Sequence, residues 1–144
     1  MKVRVMLADD HALFREALRM VLELAEDIEV VAEAENGHHV LEYVAKARPD
    51  VVCMDLNMPG LNGVEATRQL LSTYPNVKVI GLSAHVDLPR VAEICQAGAQ
   101  GYVVKGSAGG ELLAAIRQVH LNQTYFSAEL QIKDVAELAP YQNS

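Results

Sequence analysis

The stretch between residues 50 and 60 has the sequence DVVCMDLNMPG. Val51 to Met54 is an uninterrupted apolar run of strand length, which predicts a strand buried on both faces of a sheet. The run ends at a single carboxylate, Asp55, and Met58-Pro59-Gly60 then breaks the chain into a loop. Because ligands of open α/β sheets bind beyond the carboxyl ends of the strands, Asp55 is a candidate functional acid. The alternative is an aspartate that only starts a turn.

Strand-like and helical segments alternate regularly on both sides of this stretch. A half-polar pattern from Ile28 to Ala34 predicts an edge strand. Helical spacing of apolar residues follows each strand, with Asn62 and Ser107 as candidate caps of the third and fifth helices. The alternation predicts a doubly wound α/β fold, in which a five-stranded parallel sheet carries helices on both faces. The predicted strands are Val3 to Ala8, Ile28 to Ala34, Val51 to Met54, Val77 to Leu82 and Gly101 to Val104.

The end of the chain predicts a tail rather than a second domain. We expect one domain over residues 1–121 and a linker or tail over residues 122–144. Within the tail, Ser127 to Leu138 favours a short helix, which Ala139-Pro140 would end.

Composition narrows the classes of function. Twelve basic and nineteen acidic residues among 144 give a net charge of −7, which argues against binding nucleic acid or an anionic membrane through bulk charge. The sequence has no apolar run of about 18 residues and no signal-peptide layout, so a cytoplasmic protein is expected. Cys53 and Cys95 are expected to be free thiols rather than a disulfide.

Polar residues stand where the predicted strands end. Asp9 and Asp10 follow the first strand, Asp55 ends the third, Ser83 follows the fourth and Lys105 follows the fifth. In a parallel sheet these ends share one edge, so the five side chains are expected to converge. Three carboxylates against one ammonium favour a divalent cation, and hard oxygen donors favour Mg²⁺, with Mn²⁺ or Ca²⁺ as alternatives. An ionised aspartate beside such an ion can attack phosphorus and form an aspartyl phosphate.

The histidines are not expected to bind the metal, because they are scattered along the chain. They are His11, His38, His39, His85 and His120.

The order of these motifs resembles the CheY-like receiver domain of two-component response regulators over residues 1–121. The resemblance rests on Asp9-Asp10, on Asp55 to Gly60 with Gly63, on Leu82-Ser83-Ala84, and on Gly101 to Lys105. It implies a flavodoxin-like sheet in the order 2-1-3-4-5. Within the family the sequence is most similar to the LuxR-type (NarL/FixJ) transcription factors.

The resemblance also implies a role for each motif residue. Asp55 would be the phosphoacceptor and also a metal ligand, and Ser83 and Lys105 would hold the phosphoryl group. Tyr102 would be an aromatic switch residue. The remaining implied roles are direct Mg²⁺ binding by Asp10, binding largely through water by Asp9, a ligand carbonyl at Asn57, and tuning of dephosphorylation by Asn57 and His85.

The function implied is that of a phosphorelay regulator rather than an enzyme with a separate substrate. A sensor histidine kinase would supply the phosphoryl group, and phosphorylation would promote a homodimer. Output would be transcription through a DNA-binding domain that this chain lacks, and the alternative is a stand-alone receiver that acts through protein contacts. Many receivers have proline where this chain has Gly106, which leaves the isomer of the Lys105–Gly106 bond open.

Three other classes stay open on the residues alone. An aspartate-nucleophile phosphatase would carry an Asp-x-Asp pair on one strand, whereas Asp9 and Asp10 are adjacent. A flavodoxin-like electron carrier would need a phosphate-binding first loop, which the two aspartates would repel. An interaction module that has lost phosphorylation would not need the complete set of polar residues.

Overall fold

The computed structural model describes residues 2–142 and contains one parallel sheet. The strand order is β2-β1-β3-β4-β5-β6. This confirms the predicted doubly wound α/β fold and the edge position of β2, and it adds a sixth strand beyond the five expected. The strands are β1 (Val3–Ala8), β2 (Ile28–Ala34), β3 (Val51–Asp55), β4 (Lys78–Ser83), β5 (Gly101–Val104) and β6 (Tyr125–Phe126).

Five α-helices connect or follow these strands. The Asn62 side chain accepts a hydrogen bond of 2.9 Å from the Glu65 N–H, which confirms it as the cap of the third helix. Ser107 does not cap the fifth helix, because its hydroxyl instead donates to Glu129 of the tail at 3.0 Å. The helices are α1 (Ala12–Glu23), α2 (Gly37–Ala47), α3 (Gly63–Thr73), α4 (Leu88–Gln96) and α5 (Ala108–His120).

Successive strand residues supply two aliphatic cores, one on each face of the sheet. In β3, Val52 and Met54 pack into the core beneath α2, α3 and α4, whereas Val51 and Cys53 pack into the core beneath α1 and α5. Both faces of β3 are therefore buried, as its uninterrupted apolar run predicts. This leaves the strand's carboxyl end as the place where a polar side chain can reach solvent.

The tail does not form the single helix expected over Ser127 to Leu138. It adds β6 beside β5 and then forms two 3₁₀ helices, Ala128–Leu130 and Val135–Tyr141. The second of these packs against α4 and buries Leu138 completely. The tail therefore belongs to the packed structure, because burial of its apolar residues against the domain outweighs local helix propensity.

Three further expectations concern single features. Both cysteines are free, and burial raises the pKa of Cys53 to about 12 and that of Cys95 to about 11. No peptide bond within residues 2–142 is cis, which includes the Lys105–Gly106 bond. Over the same residues, none of the helices has the length and apolar character that a membrane span requires.

Candidate functional site

Three strand ends bring charged residues together at the carboxyl edge of the sheet. The ammonium nitrogen of Lys105, directly after β5, lies 2.8 Å from Asp9 Oδ2 and 3.1 Å from Asp55 Oδ2. Asp10 joins the group through His11, whose Nδ1 lies 3.3 Å from Asp10 Oδ1. Four of the five predicted residues therefore form one cluster, and His11 joins them. We call this cluster the acidic edge: Asp9, Asp10, His11, Asp55 and Lys105.

The loop after β3 holds the Asp55 carboxylate in place. The Asn57 N–H donates to Asp55 Oδ1 at 3.0 Å, and this bond orients the carboxylate. Gly63 begins α3 directly against the strand end, where a Cβ atom would lie only 2.2 Å from the Asp55 carbonyl oxygen. A larger residue at position 63 would therefore displace the loop that positions Asp55. The proposed ligand role of the Asn57 carbonyl stays a prediction.

Burial sets the protonation behaviour of Asp55. The residue is only 1% exposed, and burial raises the pKa of its carboxyl group. The Asn57 N–H and Lys105 act in the opposite direction, whereas the charge of Asp9 raises the pKa further. The surroundings of Asp55 thus disfavour its ionised form, and a bound cation would stabilise that form.

Lys105 is the positive partner of both buried aspartates. Burial alone would lower the pKa of Lys105, but the contact with Asp9 and the charges of Asp55 and Asp9 outweigh burial and raise it. The ammonium also lies 4.8 Å from the centre of the Phe14 ring, within cation–π range. Phe14 lies in α1, and no sequence motif signals its contact with Lys105.

His11 is the second residue that sequence analysis missed. Its backbone N–H donates to Asp9 Oδ1 at 2.7 Å, and its ring Nδ1 lies 3.0 Å from the same oxygen. The available signal was its position directly after Asp9-Asp10, in the loop that leaves β1 at the site. That position places a nitrogen donor among oxygen donors.

The cluster fits a divalent cation. One donor atom from each of Asp9, Asp10, His11 and Asp55 lies within 4.8 Å of all the others. Asp9 Oδ2 is buried, and its close partner is the Lys105 ammonium at 2.8 Å. Asp9 and Asp55 are both buried and share this one ammonium, so their negative charge is only partly offset, and a divalent cation would offset the rest.

Ser83 has a different set of neighbours from the one expected. It ends β4 and is fully buried, and its hydroxyl oxygen accepts the His85 N–H at 3.1 Å. The His85 carbonyl in turn accepts the Tyr102 hydroxyl at 2.7 Å. The His85 backbone therefore links Ser83 to Tyr102, whereas the His85 side chain is exposed.

Tyr102 lies inside the protein in this structure. Its residue exposure is 0%, and Gly81 is its neighbour across β4 and β5. A Cβ atom at position 81 would lie 3.5 Å from the Tyr102 ring and 3.2 Å from Ile94 of α4, so the glycine leaves room for both. The inward ring thus connects the β4 end to α4.

This combination of fold and site defines the class of the protein. Residues 5–117 match the response regulator receiver domain family, and the chain belongs to that family. Receiver domains of two-component response regulators are phosphorylated on an aspartate by a kinase, and they bind Mg²⁺ at an acidic pocket.

Known relatives narrow the type of receiver. The chain is 43% identical over 124 residues to the transcriptional regulatory protein DegU of Brevibacillus brevis, covering 86% of this chain and 52% of DegU. It is 41% identical over 128 residues to the response regulator UvrY of Escherichia coli strain K12, covering 89% of this chain and 59% of UvrY. The chain thus spans a little over half the length of these curated relatives.

A solved structure matches the chain over nearly its whole length. The two-component response regulator of the LuxR family from Aurantimonas sp. SI85-9A1 is 31% identical, with a TM-score of 0.88 and coverage of 97% of this chain and 99% of that one. The chain is accordingly a receiver of the LuxR type.

Proposed function

We propose that this chain accepts a phosphoryl group on Asp55 from a sensor histidine kinase and that a bound Mg²⁺ assists the transfer. The observation that carries the proposal is the buried Asp55 carboxylate, which shares the Lys105 ammonium with a second buried aspartate. If Asp55 had only a structural role, a second buried aspartate beside it would be a disadvantage, because the charge of Asp9 repels that of Asp55.

The chemistry follows from the residues around Asp55. A carboxylate oxygen forms a bond to phosphorus, while the bond from phosphorus to the donor breaks and the donor leaves with the electron pair. Lys105 stabilises the negative charge of the phosphoryl group, and the Asn57 N–H holds the attacking carboxylate. Hydrolysis of the resulting acyl phosphate returns Asp55 to its starting state.

The metal would be held by Asp10 directly, by Asp9 largely through water, and by Asp55 and the Asn57 carbonyl. The hard oxygens of these groups suit Mg²⁺, with Mn²⁺ as an alternative. When bound, the ion supplies positive charge that offsets the charge on the transferring group.

Intact-mass measurement with a small phosphodonor tests this function. We expect a mass increase of one phosphate in the wild type with acetyl phosphate and Mg²⁺, and none in Asp55→Asn. Asp50→Asn is the matched control, because Asp50 precedes the same strand and its carboxylate accepts the Arg4 N–H at 2.8 Å far from the cluster. Equal labelling of Asp55→Asn and Asp50→Asn would overturn the proposal.

Ser83 and Tyr102 would carry the state of Asp55 to α4. The phosphoryl group would attract the Ser83 hydroxyl by a charge-assisted hydrogen bond. That hydroxyl now accepts the His85 N–H, and the His85 carbonyl accepts the Tyr102 hydroxyl, so a shift of Ser83 changes the bonds of Tyr102. The side chain of His85, two residues after Ser83, would tune dephosphorylation together with Asn57.

The output would be control of transcription in the cytoplasm. The names of DegU and of the LuxR-family structure support this role, and the DNA contacts would lie in a segment outside these 144 residues. With a net charge of −7, this chain alone should give no specific, salt-sensitive shift of duplex DNA in a gel. A second copy of the chain is the expected partner after phosphorylation.

A further inference from the structure

His11 places a ring nitrogen among the oxygen donors of the acidic edge. Its Nδ1 lies 3.0 Å from Asp9 Oδ1, 3.3 Å from Asp10 Oδ1 and 3.3 Å from the Lys105 ammonium. The side chain is 65% exposed, so one side of the ring faces solvent and the other faces the cluster. The nitrogen therefore lies where an entering cation would meet it.

The spacing of these atoms matches a metal coordination shell. Two neighbouring ligands at about 2.1 Å from an octahedral ion are about 3 Å apart, and opposite ligands are about 4.2 Å apart. The distances from His11 Nδ1 to the two aspartate oxygens fall near the first value. All four donors lie within 4.8 Å of one another, a spread somewhat larger than the second value.

A second observation points independently to a ligand at this place. Asp9 Oδ2 belongs to a side chain that is 2% exposed, and it shares the Lys105 ammonium with the buried carboxylate of Asp55, so two buried negative charges face one positive charge. The other oxygen of the same carboxylate faces His11. Asp9 thus presents one oxygen to the shared ammonium and one oxygen to the imidazole, in a cluster whose negative charge exceeds its positive charge.

We propose that His11 is a direct nitrogen ligand of the divalent metal at the acidic edge and shifts its selectivity towards Mn²⁺ and Co²⁺. The proposal rests on the proposed function, because it concerns the same metal. Imidazole suits transition metals, whereas Mg²⁺ prefers oxygen ligands and keeps several waters. A site with one imidazole ligand therefore discriminates against Mg²⁺ more strongly than a site with oxygen ligands alone.

A purely structural role for His11 is the competing explanation. The ring could donate its Nδ1–H to Asp9 and only hold that carboxylate in place. In that case Asn at position 11 would serve equally well, because its amide can donate the same kind of hydrogen bond. His11→Asn therefore separates the two roles, since it keeps a donor and an oxygen but removes the imidazole nitrogen.

The test uses the full chain loaded with Mn²⁺ and pulsed electron paramagnetic resonance. We expect ¹⁴N modulation from a histidine ligand in the wild type and in the control His120→Asn, whose residue is exposed at the end of α5. We expect no such modulation in His11→Asn. In competition titrations, the ratio of Mn²⁺ to Mg²⁺ affinity should fall about tenfold in His11→Asn and stay unchanged in the control.

The outcomes separate this proposal from the proposed function. If Asp55 is phosphorylated with Mg²⁺ but wild-type Mn²⁺ shows no histidine nitrogen, the role of His11 is overturned and the receiver function stands. An unchanged Mn²⁺ to Mg²⁺ ratio in His11→Asn overturns it equally. If the wild type binds neither ion and Asp55 takes up no phosphate, both proposals fail.

Discussion

Buried polar groups have only part of their charge offset at the acidic edge, whereas in the tail they have hydrogen-bond partners. At the acidic edge, two aspartates are buried and share one ammonium, so their negative charge is only partly offset. In the tail seam, by which we mean residues 122–142 where they pack on β5 and α4, buried Ser127 accepts the Val104 N–H at 2.8 Å. Asp134 and Glu137 form a complete capping box in the same segment.

This difference separates a region built for ligands from a region built for stability. Unsatisfied charge at the acidic edge lowers stability until a cation or phosphoryl group binds. The tail seam gains stability from buried apolar side chains and paired backbone groups. The two regions meet at β5, where Ser127 binds Val104 and the next residue, Lys105, faces the aspartates.

The largest effect is expected from truncation of the apolar anchor of the tail seam. Leu138→Ala should lower the free energy of unfolding by about 3 kcal/mol, because the fully buried side chain would leave a cavity against α4. Denaturant titration measures this effect. Leu121→Ala is the control, since Leu121 is 67% exposed and its truncation should change stability by less than about 0.5 kcal/mol. Equal effects of the two substitutions would show that the seam does not stabilise the domain.

The next effect concerns the polar contact of the seam. Ser127→Ala should cost about 2 kcal/mol, because it leaves the buried Val104 N–H without its acceptor. Ser72→Ala removes a serine hydroxyl that is exposed on α3 and should be nearly neutral. Hydrogen exchange at Val104 measures the loss directly, and unchanged protection of that amide in Ser127→Ala would contradict the assigned contact.

A smaller effect is expected from the metal at the acidic edge. At ten times its dissociation constant, Mg²⁺ should stabilise the fold by about 1.4 kcal/mol by mass action. Asp10→Asn should remove most of this gain, because it removes the carboxylate expected to bind the ion directly. Melting curves with and without millimolar Mg²⁺ measure the effect. A wild-type melting temperature that does not respond to Mg²⁺ would count against a metal site.

The smallest effect on the free energy of unfolding is expected from the ionised Asp55 carboxylate in the metal-free protein. Burial raises the pKa of Asp55 in the folded state, so the ionised form is less favourable there than in the unfolded chain. Asp55→Asn should therefore stabilise the metal-free protein by about 1 kcal/mol at neutral pH. The advantage should shrink as pH falls through the raised pKa and vanish below about 3.9, where Asp55 is protonated in both states. Denaturant titrations across pH measure it, and a destabilised Asp55→Asn at neutral pH would contradict this account.

The sequence predicted the regions in which local pattern and strand order agree. β1, β2 and β5 occur at the predicted bounds, because β1 and β5 are apolar runs that end at a charged residue and β2 has the half-polar pattern of an edge strand. The convergence of Asp9, Asp55 and Lys105 followed from parallel strand ends alone. These features depend on short-range signals that survive in one sequence.

The features that the sequence did not predict depend on tertiary contacts. β6 has only two residues, too few for a period to be visible, and it forms because Gly101 allows close approach of Tyr125. His11 and Phe14 join the acidic edge through the direction in which α1 leaves β1. The inward position of Tyr102 depends on Gly81 across the sheet and on Ile94 of α4. No spacing rule encodes these contacts.

The central claim is that occupancy of Asp55 changes the packing of α4 through Ser83 and Tyr102. The change should extend to the tail seam, because the Ser127 N–H donates to the Tyr102 carbonyl at 2.9 Å. Amide NMR spectra with and without beryllofluoride and Mg²⁺ test it most directly, using wild type, Ser83→Ala and Asp55→Asn. We predict wild-type shift changes from Val91 to Gly101 and at Ser127, much smaller changes in Ser83→Ala, and none in Asp55→Asn. Equal changes in wild type and Ser83→Ala would contradict the claim.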